Sequence, residues 1–262
     1  MMDSPESYVS TRRVGRAVVS QINDGRGGWT PKLSAPEAEW RAALPGADER
    51  GYIENEHYTG VIQIGDARIL IDVGFDDPSP ASHFMPPRYR RTPGVTAGLA
   101  KLGLQPSDIT HVIFTHHHGD HVAGAMVGDT ARFSNARHFI GRADWDANPV
   151  RDDPNSIEAL NLGGLDRLGL LHLPDGDIEI IPGVTMTRAP GKSLGHSIIR
   201  VADGGAVAYF VGDLFHFPCE AEHLDWVSPG RDPVKARRSR KCLLGATAGC
   251  KCEFGLVMLL PP

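Results

Sequence analysis

Apolar runs separated by Gly- and Pro-rich turns dominate the chain, and this pattern predicts an α/β protein. Three pairs of strand-like runs flank short turn signals and predict hairpins at 58–64 with 67–72, 178–181 with 184–187, and 198–201 with 206–211. Further strands are predicted at 14–22, 110–115 and 136–142, whereas the Gly-rich stretch 23–29 is predicted to be a loop. Helix-forming stretches fall at 36–44, 95–102, 155–168 and 232–240. This alternation indicates a sheet-rich α/β core.

A cluster of metal-binding side chains directly follows an apolar predicted strand. His116 and His118 are two residues apart, so in an extended chain they project to the same side and can hold one ion. Gly119 permits a sharp turn, after which Asp120 and His121 can face the same cavity and hold a second ion. Imidazole and carboxylate ligands suit zinc, with manganese, iron or cobalt as substitutes. The spacing favours a metal site over a polar turn that is rich in His by chance.

Two positions later in the chain can complete this site. His196 ends a Gly- and Pro-rich loop, and Asp213 follows the predicted strand 206–211. Alone, His196 would more often be a structural or surface His, and Asp213 a turn residue. Together with the cluster, His196 would add a third imidazole to the first ion and Asp213 could bridge the two ions. Paired ions of this kind hold a hydroxide at neutral pH and polarise a carbonyl or phosphoryl oxygen, which predicts hydrolysis. Asp72 also ends a strand, as either a solvated turn residue or a support for the ligands.

Composition and charge argue against nucleic acid as a partner and against a transmembrane helix. The 262-residue chain is 41% hydrophobic with a net charge of -5 and no basic stripe, which argues against nucleic acid. No apolar run is long enough to predict a transmembrane helix, and the N-terminus has no secretory signal, so a cytoplasmic location is expected. The four Cys all lie at or after Cys219, a distribution unlike a disulfide framework.

The motifs, taken together, resemble the metallo-β-lactamase superfamily. They are HxHxDH (116–121), ILIDVG around Asp72, APGKSLGHS with His196, and VGDLFH around Asp213. The resemblance implies an αββα sandwich with its site at one edge of the two sheets. It also implies two divalent metal ions, zinc being expected, and a supporting role for Asp72.

Within the superfamily, the chain most resembles the branch of acyl-homoserine-lactone lactonases and methyl-parathion-hydrolase-like enzymes. Asp120, the bridging-type Asp213 and the added His216 carry this closer resemblance. It implies a metal-bound hydroxide that attacks a lactone or ester carbonyl, with Asp120 steering a proton. Phosphotriester and thioester hydrolysis stay open as alternatives. Substrate specificity is expected to lie in the loops 75–93 and 145–172, and the partner is expected to be a small molecule.

The chain departs from the superfamily pattern in two places. Lys192 stands where the loop commonly carries a His, and no His follows His223, although the superfamily places its last metal ligand after a final helix and strand. We predict a flexible segment 1–13, a hydrolase domain 14–240 and an atypical tail 241–262 that arose by frameshift or truncation. Alternatively, His216 serves as the missing ligand, or the second ion binds weakly. A degenerate, non-catalytic metal-binding protein is the competing class of function, and a homodimer stays open.

Overall fold

Two β-sheets pack face to face, and helices cover their outer surfaces. This arrangement is seen in a computed structural model that describes residues 8–75, 90–247 and 257–260. Three layers of buried apolar side chains, one between the sheets and one under each helical layer, join the elements. The predicted α/β class and the αββα sandwich are therefore confirmed.

The first sheet brings the ends of several parallel strands to one edge. Its strands are β1 (Val9–Val14), β2 (Ala17–Trp29), β3 (Ile53–Ile64), β4 (Ala67–Ile71), β5 (Arg90–Arg91), β6 (His111–Ile113), β9 (Arg137–Phe139) and β10 (Leu171–His172). The order is β1-β2-β3-β4-β6-β9-β10, and β5 pairs with β2. Because β4, β6, β9 and β10 are parallel, the segments that follow them meet at the same edge.

The second sheet is antiparallel, as the predicted hairpins require. Its strands, in spatial order, are β11 (Ile178–Ile181), β12 (Val184–Arg188), β13 (Ser197–Asp203), β14 (Ala206–Phe210) and β15 (Val257–Leu260). A separate short hairpin consists of β7 (Met126–Val127) and β8 (Thr130–Ala131). The predicted hairpins at 178–187 and 198–211 are confirmed, and so is the hairpin of β3 and β4.

The helices cover both outer faces and do not cross a membrane. They are α1 (Glu37–Ala43), α2 (Val95–Lys101), α3 (Gly119–Val122), α4 (Arg142–Asp146), α5 (Ile157–Arg167) and α6 (Pro233–Ala246). Residues of α2 and α5 pack on the first sheet, and Leu243 of α6 packs on the second. No helix within the described ranges combines the length and the apolar character that a bilayer span needs.

The predicted loop at 23–29 is wrong, because β2 continues through it to Trp29. This half of β2 pairs with β3 from Gly25↔His57 to Trp29↔Ile53, after a bulge between Asn23 and Gly25. The pairing supplies backbone hydrogen bonds that outweigh the low strand propensity of Gly. At Gly28 a Cβ would lie 2.0 Å from the carbonyl oxygen of Ile53, so the glycine permits the close approach of the two strands.

Secondary structure crosses both of the boundaries that the sequence predicts near the ends of the chain. Residues 9–13, predicted to be flexible, belong to β1 instead, since backbone pairing with β2 from Val9↔Ile22 onward holds them in the sheet. Residues 1–7 of that segment lie outside the described residues. The predicted domain boundary at residue 240 falls inside α6, and β15 extends the second sheet beside β14.

Candidate metal centre

The HxHxDH motif begins where β6 leaves the centre of the first sheet. Phe114 and Thr115 continue the buried strand end, and His116 is completely buried beside them. Asp120 and His121 do not lie in an open loop, because Gly119 begins the one-turn helix α3. The extended part and the helical part of the motif therefore present side chains from two directions, as the spacing predicts.

Three ligand atoms lie close enough to share one ion. In the described part of the chain, His116, His118 and Asp213 form a group whose ligand atoms all lie within 4.8 Å of one another. His116 Nε2 is 2.9 Å from His118 Nδ1 and 3.6 Å from Asp213 Oδ2. Ligand atoms around a tetrahedral zinc are about 3.4 Å apart, since each bond is about 2.1 Å long. The three residues thus fit a zinc-like ion without a large rearrangement.

His196 lies next to this group but is engaged by the backbone. It is completely buried, and its Nδ1 is 3.0 Å from the carbonyl oxygen of Ala189. Its Nε2 accepts a hydrogen bond from the backbone N–H of Asp213 at 3.2 Å. The ring centroids of His116 and His196 are 5.3 Å apart. The structure therefore places His196 at the predicted site, with Nε2 directed toward the segment that carries Asp213.

The remaining motif residues surround the other oxygen of Asp213. His121 Nε2 is 3.3 Å from Asp213 Oδ1 and 3.5 Å from Asp120 Oδ2. These separations are also those of ligands that share one ion. Asp213 thus faces His116 with Oδ2 and His121 with Oδ1, which is the geometry that a bridging carboxylate needs.

Asp72 lies directly behind the cluster and fixes its geometry. The residue adopts a left-handed backbone conformation, with φ of 56°, at the end of β4. Its Oδ1 accepts a hydrogen bond from the backbone N–H of Thr115 at 2.7 Å, and its Oδ2 accepts one from the Thr115 hydroxyl at 2.8 Å. The same Oδ2 is 2.7 Å from Nδ1 of His121. Such a contact holds the proton on Nδ1 and directs Nε2 toward the site.

Asp144 is a buried carboxylate of the site that the sequence did not reveal. Its Oδ2 accepts the backbone N–H of His117 at 2.7 Å and lies 2.9 Å from Nδ1 of the same ring. Its Oδ1 accepts the backbone N–H of Gly195 at 3.2 Å. Asp144 therefore connects the motif to the loop that carries His196. An Asp shortly after a predicted strand is too common a feature of sequences to have singled it out.

Cationic side chains surround Asp213 on the side of the first group. The ammonium of Lys192 contacts Asp213 Oδ2, and both side chains are only 13% exposed. His216 Nε2 is 3.0 Å from the same oxygen. The guanidinium nitrogens of Arg231 lie 2.9 and 2.7 Å from the two ring nitrogens of His216. A neutral imidazole has one acceptor nitrogen, so one of these two contacts is a hydrogen bond and the other is only proximity.

Burial keeps most imidazoles of the site neutral. Desolvation lowers the pKa of His118 to about 3 and the pKa values of His196 and His216 to about 4. Desolvation also lowers the pKa of His116 well below its ordinary value. His121 differs, because the carboxylates of Asp120 and Asp72 outweigh its desolvation and raise its pKa. Neutral imidazole is the form that binds metals, so four of the rings need lose no proton on metal binding.

A cavity of about 1070 Å³ opens in front of these residues. Asp120, with 29% of its side chain exposed, and His121 form part of its floor. Its walls carry the apolar side chains of Trp29, Phe75, Val150, Ile157 and Phe215, together with Tyr58, Lys192 and Arg231. Of the two loops predicted to set specificity, 145–172 contributes to the wall, whereas residues 76–89 of the loop 75–93 lie outside the described residues.

Residues 53–246 match the model of the metallo-beta-lactamase superfamily. The chain belongs to this superfamily. The match covers the strands and helices that carry every residue of the candidate centre, which confirms the resemblance drawn from the motifs.

Curated N-acyl homoserine lactonases resemble part of this chain. The N-acyl homoserine lactonase of Bacillus cereus is 28% identical over 115 residues, which is 44% of this chain and 42% of the lactonase. The chain thus spans less than half the length of the curated lactonases that it matches.

Solved structures cover more of the chain. A protein from Staphylococcus aureus described as a probable metal-dependent hydrolase is 26% identical with a TM-score of 0.78, and the alignment covers 90% of this chain and 86% of that one. AidC, a dizinc quorum-quenching lactonase bound to its product, has a TM-score of 0.73 at 23% identity, over 92% of this chain and 86% of AidC. At that identity the likeness to AidC establishes the fold alone.

Proposed function

We propose that this superfamily member is a metal-dependent hydrolase that opens lactone rings, with related esters as further substrates. The observation that carries the proposal is the position of Asp213, whose two oxygens face separate sets of imidazoles at ligand-like distances. The names of the lactonase and hydrolase relatives support the same reaction class.

The donor set fits two divalent ions, for which zinc is our expectation. His116, His118, His196 and Asp213 would hold the first, and Asp120, His121 and Asp213 the second. Once bound, the ions would polarise the substrate carbonyl and lower the pKa of a water molecule. The Lys192 ammonium now contacts the shared carboxylate, so it has to shift when the ions bind.

Asp120 is the residue that we propose to move the proton. Its side chain is 29% exposed, and it borders the cavity where substrate would lie. A carboxylate at that position can take the proton of the attacking water and deliver it to the alkoxide that leaves when the ring opens. His121 keeps this carboxylate ionised, because its charge outweighs the burial that would raise the pKa of Asp120.

The cavity offers separate surfaces for the acyl chain and for developing charge. Trp29, Phe75 and Phe215 give apolar walls that can bind an acyl chain and exclude water. Lys192 and Arg231 border the same space with two cationic groups. They can stabilise the negative charge of the carboxylate that lactone opening produces.

The test is a hydrolysis panel on protein of known metal content. The substrates are N-hexanoyl-homoserine lactone, an aryl ester, a thioester and a phosphotriester, with proton release as the common readout. We expect the lactone to be hydrolysed fastest and His116→Ala to lose activity. His223→Ala is the matched control, because His223 stacks on Trp226 outside the site and should retain activity. Metal-loaded protein that hydrolyses none of the four would support the degenerate class instead.

A further inference from the structure

We propose that His57, a residue outside the sequence motifs, supplies a nitrogen ligand to the second metal ion. The inference rests on the proposed function, and it names the residue of this chain that would complete the ligands of the second ion. Asp120, His121 and Asp213 give that ion three protein ligands. His57 would be the fourth, and the ion could still take water or substrate as a fifth ligand, because zinc sites in enzymes expand to five-coordinate.

Consecutive short contacts link His57 to the other three residues. His57 Nδ1 is 3.4 Å from Asp120 Oδ2. Asp120 Oδ2 is 3.5 Å from His121 Nε2, which is 3.3 Å from Asp213 Oδ1. Each of the three steps is close to the edge of a tetrahedral site with bonds of about 2.1 Å, which is about 3.4 Å. The contact of His57 with Asp120 is thus as close as the contacts of His121 with Asp120 and Asp213.

The fold holds His57 at this position. The residue lies in β3, where it pairs with Gly25 of β2, so its backbone belongs to the first sheet. Its side chain is 11% exposed and borders the same cavity as Asp120 and His121. The ring packs against Phe75, with centroids 6.2 Å apart. A ligand carried by a paired strand is better fixed than one carried by a loop.

His216, the other candidate for the missing ligand, lies on the opposite side of the shared carboxylate. Its Nε2 contacts Asp213 Oδ2, which is the oxygen that faces His116, whereas Oδ1 faces His121. The guanidinium of Arg231 also lies against both ring nitrogens of His216. The positive charge of Arg231 would repel a metal ion bound to the same ring. These contacts favour His57 over His216 as the ligand.

The competing role for His57 is to orient Asp120 through a hydrogen bond without touching an ion. Loss of the side chain alone would not separate the two roles, because a misdirected Asp120 also binds metal less well. Cysteine at position 57 does separate them. A thiolate that coordinates cobalt produces a sulfur-to-cobalt charge-transfer band in the near ultraviolet, and a thiol that does not coordinate produces none.

The experiment therefore uses cobalt under reducing conditions with wild type, His57→Ala, His57→Cys and the matched control His223→Cys. Wild type should bind two cobalt ions per chain. His57→Ala should bind the second ion at least about tenfold more weakly. His57→Cys should retain two ions and gain the charge-transfer band, which wild type, with its four native cysteines, and His223→Cys should lack.

Each contrary result has a distinct meaning. Two ions in His57→Cys without the band would overturn the ligand role of His57 while leaving the proposed hydrolase intact. So would unchanged affinity for the second ion in His57→Ala, or a single ion in wild type. Wild type that binds no cobalt or zinc at all would overturn the metal centre itself, and with it the proposed function.

Discussion

Replacing Arg240 by Met removes the cationic half of a completely buried ion pair. Arg240 and Glu220 are both inaccessible to solvent, and Nη2 of Arg240 is 2.7 Å from Oε1 of Glu220. The guanidinium also donates to the carbonyl oxygens of Leu214, Leu224 and Trp226, at 2.8, 3.1 and 2.7 Å. One side chain of α6 therefore anchors the whole segment that follows Asp213.

The cost of Arg240→Met can be worked from these contacts. A buried carboxylate that loses its partner costs about 3–5 kcal/mol. Each carbonyl left without a donor adds about 1 kcal/mol, less where water enters. We therefore expect a loss of roughly 3–8 kcal/mol in the free energy of unfolding, which is a large part of the 5–15 kcal/mol that is typical of folded proteins.

Urea unfolding followed by circular dichroism measures this loss. Arg238→Met is the matched control, because Arg238 is exposed on the same helix and should change stability by less than about 0.5 kcal/mol. The double variant Glu220→Gln/Arg240→Met should recover part of the loss, since it removes the buried charge that has lost its nearest cation and keeps only Arg231, 4.0 Å away. If Arg240→Met unfolds within about 1 kcal/mol of wild type, the ion pair does not anchor the segment and the reasoning is refuted.

Four further predictions follow from other parts of the structure. Asp72→Asn should weaken binding of the second ion by about 10–100-fold in a metal titration, because it alters the contact that orients His121; unchanged affinity would contradict this. Removing metal with a chelator should lower the melting temperature reversibly, measured by calorimetry with and without added zinc. Burial lowers the pKa of His138 from 6.5 to about 4, so its stabilising effect is complete above pH 6.5 and is lost as the pH falls toward 4. The loss is roughly 3 kcal/mol, and His138→Leu should unfold with a flatter pH dependence over that interval. Translating the gene in the other two frames beyond the Arg240 codon should supply a His after a helix and a strand; if neither frame does, the frameshift hypothesis fails.

The sequence predicts the part of the site that is local in the chain. His116, His118, Asp120 and His121 lie within six residues of one another after an apolar strand, so their chemistry and their position at a sheet edge follow from spacing alone. Asp213 and Asp72 are predictable because parallel or hairpin strands end near the same edge. These predictions need only the periodicity of strands.

The rest of the site depends on contacts between distant segments. His57 precedes the strand predicted at 58–64 and joins it only in the structure, and Asp144 lies in a short helix, so neither is marked by a pattern. The loop predicted at 23–29 is wrong for the same reason. Its Gly residues favour a loop, and only the pairing with β3 supplies the hydrogen bonds that make this segment a strand. The burial of Arg240 likewise follows from three carbonyls that tertiary folding brings to it.

The most direct test of the proposed function is the rate of N-hexanoyl-homoserine lactone opening as zinc is titrated into metal-free protein. We expect no hydrolysis above the buffer rate without zinc, and a rate that rises until two ions are bound per chain. His116→Ala should stay at the buffer rate throughout. Fully loaded protein that leaves the lactone intact, or metal-free protein that hydrolyses it at the full rate, would contradict the account.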